Sequence, residues 1–157
     1  MQVLASREAA ADWAAVQRAA GRVVVFTNGV FDVLHPGHTR YLADARAQGD
    51  VLIVAANSDR SVRAQNKGTD RPITPGHERA ELLAALAAVD AVVVFDEDTP
   101  FDIVSAIQPD VLVKGADWAA DAIVGRDVVE ARGGRVVRIA LAPGYATTAI
   151  LERARRS

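Results

Sequence analysis

Two of the three histidines stand at His35 and His38, on either side of Pro36-Gly37. They follow the run Thr27-Asn28-Gly29-Val30-Phe31-Asp32 and precede a segment that reads as a helix opening at Gly37 and His38. A helix N-terminus offers unpaired N–H groups and the positive end of the helix dipole, which together favour a phosphate. Imidazole N–H donors placed there would grip phosphoryl oxygens. Gly29 lets the backbone approach a ligand closely, and Gly37 keeps a side chain out of the space between the histidines. Three readings compete. The segment could be a capped helix bearing two surface histidines. It could be a zinc pair, although the chain has no cysteine and His77 is the one further histidine. We favour the third, a nucleotide phosphate site.

The lysines give a second signal. The chain has 18 basic side chains, of which two, Lys67 and Lys114, are lysine, and each is followed by glycine. A sequence that otherwise uses arginine keeps a compact, rotatable ammonium at these two places, and lysine serves phosphates as a point charge. The competing reading is chance retention. Asp117, close after Lys114, is a candidate for a sugar or ribose contact. Asp32 could orient a histidine or support its loop by capping, and the sequence leaves both open. Trp13 reads as packing, whereas Trp118 could border a sugar pocket.

The elements that must position these residues follow from periodicity. Apolar runs at 23–27 and 51–56 predict strands buried on both faces, and 91–95, 111–113 and 135–139 predict three further strands. Helices are expected over 6–20, 37–48, from Thr74-Pro75 to about Ala88, from Thr99-Pro100 to before Pro109, and over 122–132. A last one runs to about Arg155 with Thr147 as cap. Residues 57–71 read as a loop with a short helix at its start. Strands alternating with helices predict an α/β fold, a Rossmann-like, doubly wound, five-stranded parallel sheet. Ligands of such sheets sit beyond the carboxyl ends of the strands. All the candidates above fall there.

Composition narrows the class. The length predicts one domain over 1–157. A net charge of -2 and 5% aromatic residues argue against a nucleic-acid surface. The absence of cysteine removes disulfides and thiolate chemistry. No apolar run approaches the ~20 residues that span a bilayer, and 1–20 lack the apolar core of a signal peptide. We therefore expect a soluble, cytoplasmic protein.

Gly29-Val30-Phe31-Asp32 followed by His35-Pro36-Gly37-His38 resembles the HxGH signature of the nucleotidylyltransferase superfamily. Further along stand Asn57-Ser58-Asp59, Lys67-Gly68, Arg71-Pro72-Ile73, Val89-Asp90, Asp98-Thr99-Pro100, Pro109 to Gly115 and Thr147-Thr148. That ordered series is similar to the adenylyltransferase family that makes ADP-heptose from heptose 1-phosphate. It covers roughly Gly21 to Glu152. The resemblance implies transfer of AMP from ATP to D-glycero-D-manno-heptose 1-phosphate with release of pyrophosphate, and Mg²⁺ accompanying ATP. It implies catalytic roles for His35, His38, Lys67 and Lys114. It implies nucleotide contacts from Gly29, Val30, Phe31, Gly37, Arg79, Gly115, Asp117, Thr147 and Thr148, with no dedicated metal site. It also implies a separate sugar kinase upstream and admits a homodimer. Two alternatives stay open. One is a glycerol-3-phosphate cytidylyltransferase, whose Arg-Thr-x-Gly-Ile-Ser-Thr-Thr stretch this chain lacks, having Pro143-Gly144-Tyr145-Ala146-Thr147-Thr148 instead. The other is a nucleotide-binding sensor without turnover. The heptose family usually carries Ser-Thr-Thr where this chain has Ala146-Thr147-Thr148.

Overall fold

The computed structural model of the chain describes residues 2–65 and 70–156. Among them are six strands in one parallel sheet: β1 (Val3–Leu4), β2 (Val24–Gly29), β3 (Val51–Asn57), β4 (Ala91–Phe95), β5 (Val111–Gly115) and β6 (Arg135–Ile139). Their spatial order is β1-β4-β3-β2-β5-β6. The chain builds outward from β2 through β3 to β4, then returns to lay β5 against the other side of β2. The strand order therefore reverses between β2 and β5, where Val25, Phe26 and Thr27 register with Val111, Leu112 and Val113. A crevice at the carboxyl ends of these two strands is the place such a sheet offers a ligand.

Both faces of the central strands are covered, which is why β2, β3, β4 and β5 are rich in consecutive apolar residues, while the edge strand β6 carries the exposed Arg135 and Arg138. Val24, Phe26, Ile53, Val93 and Leu112 face one core, shared with Ala10 and Ala14 of α1 (Arg7–Ala19) and Ile103 and Ile107 of α5 (Phe101–Ile107). Val25, Leu52, Val54 and Val113 face the other. That core is shared with Leu42 of α2 (Pro36–Arg46) and Leu83 of α4 (Gly76–Ala84). Three aspartates set the level at which strands begin. Asp50, Asp90 and Asp110 stand just before β3, β4 and β5, and their carboxylates accept from the amides of Val23, Leu52 and Val24 respectively. No described helix is long and apolar enough to cross a membrane.

Several expected boundaries shift. The sheet has six strands because Val3 and Leu4 pair with Val92 and Val93, a contact too short to leave a pattern in the sequence. Thr74 and Thr99 do not cap: Pro75 and Pro100 hold the cap positions without a side-chain bond, and α4 stops at Ala84 rather than Ala88. The helix expected over 122–132 is a single 3-10 turn at Ala120–Ala122 and a short α6, Arg126–Glu130. Gly125, at φ +89 and packed on Val104, separates them. The short helix expected after β3 is α3 (Asp59–Ala64), capped by Ser58. Thr147 is the first residue of α7 (Thr147–Arg156) and not its side-chain cap. The carbonyl of Ala146 accepts the amide of Ile150, while the Thr147 hydroxyl donates elsewhere, to the Asp32 carbonyl.

Candidate functional site

A cavity of about 310 Å³ opens where β2 and β5 end. Asn28 and Gly29 line it from β2, Lys114 and Gly115 from β5. The loop between β2 and α2 supplies Val30, Phe31, Asp32 and His35, and α2 supplies Gly37, His38 and Tyr41. That loop is bent sharply: Phe31 and Val33 both take φ of 52, a left-handed conformation uncommon outside glycine. The Phe31 ring folds back on Gly29, where an added Cβ would come within 3.1 Å of it.

What holds the bend is a set of bonds from distant parts of the chain. The buried Asp32 carboxylate accepts from the amides of Ile73 and Thr74, both at 2.9 Å, and from Arg71 Nη1 at 2.8 Å. Burial alone would raise its pKa, but these three donors outweigh it and hold the carboxylate below its ordinary range. Both carboxylate oxygens thus serve the 71–74 segment, which settles Asp32 as a support of the loop. Its carbonyl accepts from Thr147 Oγ1 at 2.7 Å. Arg79 completes the frame. It is fully buried, and its guanidinium donates to the carbonyls of Val30 (2.7 Å) and Thr74 (2.9 Å) and to Asp59 Oδ1 (2.8 Å). The phosphate contact expected of Arg79 is therefore not what the structure places there: the side chain lies beneath the loop, with Nε and both terminal nitrogens engaged.

The two histidines come together on the cavity wall. Their rings stack with centroids 3.8 Å apart and 19° from parallel. The Phe31 ring meets His38 edge-on at 5.5 Å, and Tyr145 lies 6.3 Å from His35 at 18°. Loss of hydration lowers the pKa of His35, and lowers that of His38 to about 4, with the neighbouring His35 adding to the effect. Both rings are thus neutral at pH 7. Nδ1 of each is buried and has no hydrogen-bond partner among the described residues, so its bonding capacity is unmet by the protein. Gly37 is needed where Tyr145 and His35 approach the backbone. A Cβ there would stand 2.8 Å from Tyr145 Cβ and 2.9 Å from the His35 ring.

Lys114 is 8% exposed. Its ammonium lies 3.4 Å from the Asn28 carbonyl and 5.1 Å from the centre of the Trp118 ring. Asp117 and Trp118 line the same wall, and a Cβ on Gly115 would run into the Asp117 carboxylate. Trp13 packs against the α1-side core, as expected. Of the two threonines, Thr147 lines the cavity and is tied to Asp32, while Thr148 is exposed. Lys67 lies outside the described residues. Among the wall residues that sequence reasoning missed are Tyr41, Arg71 and Tyr145. Arg71 stood inside the quoted Arg71-Pro72-Ile73 stretch, and Tyr145 beside the quoted threonines; Tyr41, one turn beyond His38, carried no motif signal.

The chamber is donor-rich around the histidines, Arg71 and Lys114, and this suits an anion. Among the described residues no group of three His, Cys, Asp or Glu is arranged to hold a metal ion. Asp32 is consumed by its loop, which leaves Asp117 as the carboxylate on the wall. Such a site fits Mg²⁺ that arrives on substrate phosphates, which commonly supply most of its ligands.

Residues 26–153 match the family described as cytidylyltransferase-like. The chain is 51% identical over 147 residues to the "Bifunctional protein HldE" of Syntrophotalea carbinolica, covering 94% of this chain and 30% of that protein. It is 52% identical over 155 residues to the protein of the same name from Acidiphilium cryptum, covering 99% and 32%. The chain thus spans about a third of the length of these curated relatives. Among solved structures it resembles the lipopolysaccharide core biosynthesis protein of Thermoplasma volcanium, at 30% identity and a TM-score of 0.68, covering 78% of this chain and 99% of that one. A protein from Archaeoglobus fulgidus, 20% identical with a TM-score of 0.56 and covering 79% of this chain and 93% of that one, shares the fold.

Proposed function

The chain belongs to the cytidylyltransferase-like family and is a nucleotidyltransferase, and from that premise we propose that it transfers AMP from ATP to D-glycero-D-manno-heptose 1-phosphate, releasing pyrophosphate. The observation that carries the transfer chemistry is the stacked His35–His38 pair, neutral, with its unpartnered Nδ1 atoms at the head of α2. The choice of heptose rests on the ordered motif series and on the half-identity to the bifunctional HldE proteins.

In this reading a phosphate oxygen of the sugar 1-phosphate attacks the α-phosphorus of ATP as pyrophosphate leaves from the opposite side. The nucleophile is already anionic, so no side chain has to remove a proton or form a covalent intermediate. What the protein supplies is position and charge. His35 and His38 donate to the α-phosphoryl oxygens as charge builds there. Lys114, held by the strand end and the Trp118 face, offsets negative charge, and Lys67 is assigned the same task. Gly29, Val30 and Phe31 shape the floor, Gly115 and Asp117 the opposite wall. Thr147 keeps the head of α7 beside the phosphates, with Thr148 next to it. Mg²⁺ arriving with ATP would be held largely by the phosphate oxygens and would offset their charge. A kinase step supplies the sugar phosphate.

The test is a matrix of ATP and CTP against heptose 1-phosphate and glycerol 3-phosphate, read by pyrophosphate release. Turnover is expected for ATP with heptose 1-phosphate. Faster turnover of CTP with glycerol 3-phosphate would reassign the substrates, and binding without release in every pair would make the protein a sensor.

A further inference from the structure

The wall of the cavity facing α2 carries a short relay of hydroxyl groups outside the machinery described so far. Thr27, fully buried on β2, has its Oγ1 3.0 Å from the Val113 carbonyl and 2.8 Å from the Tyr41 hydroxyl. A carbonyl only accepts, and a threonine hydroxyl has one hydrogen to give. With that hydrogen on Val113, the Tyr41 hydroxyl must be the donor in its bond to Thr27. Tyr41 keeps its proton throughout the physiological range, since burial raises its pKa to about 12. Its hydrogen is thus spent inward, and what remains on the phenolic oxygen is lone pairs. Tyr41 lines the cavity, as do Asn28 and Asp117. Asn28 Oδ1 is a buried acceptor without a hydrogen-bond partner among the described residues, and the Asp117 carboxylate accepts by its nature.

We infer that Tyr41 is a specificity-determining residue: its oxygen, aligned by Thr27 and Val113, accepts a hydrogen bond from a hydroxyl group of the bound ligand. The chamber is then divided by polarity. Donors around the histidines and Lys114 meet phosphate, and acceptors at Tyr41, Asn28 and Asp117 meet the hydroxyls of a polyol. Two parts of the reaction mixture carry such hydroxyls, the ribose of the nucleotide and the ring of the sugar phosphate. The inference takes its ligands from the nucleotidyl-transfer reading, whereas the direction of the hydrogen bonds is independent of it.

The experiment compares the wild type with Tyr41→Phe, which removes the oxygen and keeps the ring, with Thr27→Val, which removes the relay, and with Thr27→Ser, which preserves it. Calorimetry measures binding of ATP, 2′-deoxyATP and 3′-deoxyATP, and pyrophosphate release gives the KM for heptose 1-phosphate. Loss of one hydrogen bond to a ligand is expected to cost Tyr41→Phe about tenfold. If the partner is ribose, ATP weakens while one deoxy analogue, already lacking the group, binds the variant as well as the wild type. If the partner is the sugar, its KM rises while ATP binding holds. Thr27→Val should follow Tyr41→Phe in direction with a smaller loss, and Thr27→Ser should match the wild type. Should Tyr41→Phe fold poorly, the two Thr27 variants decide by the same contrast. Unchanged affinity for every ligand overturns the inference, and so does an equal loss for all of them. A wild type that releases no pyrophosphate with any substrate pair overturns the proposed reaction, and the ATP series still decides the role of Tyr41.

Discussion

The rings of His35 and His38 stack 3.8 Å apart, so each strips water from a face of the other, and a proton on one repels a proton on the other. This fixes how stability must vary with pH. The folded pKa of His38 is lowered to about 4 and that of His35 is lowered as well, whereas an unfolded histidine titrates near 6.5. Above about pH 6.5 neither state is protonated and the fold keeps its full stability. Between about 6.5 and 4 the unfolded chain binds protons that the folded chain refuses. Stability must therefore fall as pH falls through that window, by up to ~1.4 kcal/mol per pH unit for His38, and the lowered His35 acts in the same direction. Urea melts of the wild type should show this slope, and His38→Gln should flatten it. Parallel curves for the two proteins would mean that the histidines are hydrated and unstacked.

Catalysis by the same pair is read separately. His35→Ala and His38→Ala should each lower kcat by about 10²–10³ with a smaller change in the KM for ATP, because their N–H groups serve charge that develops in the transition state. Near-normal kcat in both variants would remove the histidines from the chemistry.

Lys114→Arg keeps the charge but should still lower kcat/KM at least tenfold. The residue is 8% exposed, and its ammonium lies between the Asn28 carbonyl and the Trp118 face. A planar guanidinium is longer than the ammonium and carries its donors in a fixed fork, which does not match a slot shaped around a compact point charge. Wild-type kinetics in this variant would show that the space accepts either cation and that the lysine is a compositional accident.

The sheet was legible because a strand buried on both faces announces itself as a run of apolar residues, as β2 to β5 do, and because β6 still reads as a valine-rich segment between Gly134 and Ala140. Val3–Leu4 is a strand only by virtue of its pairing with β4, which no local pattern records. Helix ends were less legible wherever tertiary packing overrode propensity. Gly125 pressed against Val104 breaks what alanine and valine would otherwise continue. In the site, His35, Gly37 and His38 were readable because one short loop contains them all. The supports were not. Arg71 and Thr147 reach Asp32 across 39 and 115 residues, and Arg79 looked like a helix-surface or phosphate-binding charge until its three carbonyl and carboxylate partners were in view. Tyr41 was hidden for a related reason: an aromatic residue inside a helix carries no sign of which hydroxyl it will meet.

Arg79→Met should unfold the site from below. Removing the guanidinium leaves the Val30 and Thr74 carbonyls without their donor and Asp59 without its partner. Breaking a buried charged network of this kind costs about 3 kcal/mol or more. The expected result is a clear drop in melting temperature, with loss of ATP binding that saturating ATP partly restores. A stable variant that merely binds ATP weakly would return Arg79 to the role of a direct phosphate contact.

Gly37→Ala sets two effects against each other at one atom. Glycine in a helix is worse than alanine by up to about 1 kcal/mol, and less in the first turn, where Gly37 sits after Pro36. On propensity alone the variant should be neutral or slightly more stable. Yet the new Cβ would lie 2.8 Å from Tyr145 Cβ and 2.9 Å from Nδ1 and Cε1 of His35. Tyr145 rests on an exposed segment and its ring is held by Arg40, 5.0 Å from its centre, so it can retreat at little cost. His35 can also turn away, but only by leaving its stack on His38. Both escapes spare the core and disturb the histidine pair. We therefore expect Gly37→Ala to keep its melting temperature within a few degrees of the wild type while kcat falls at least tenfold. A fall in stability with kcat preserved would show instead that the clash is absorbed by α2 and that the stacked pair tolerates a side chain beside His35.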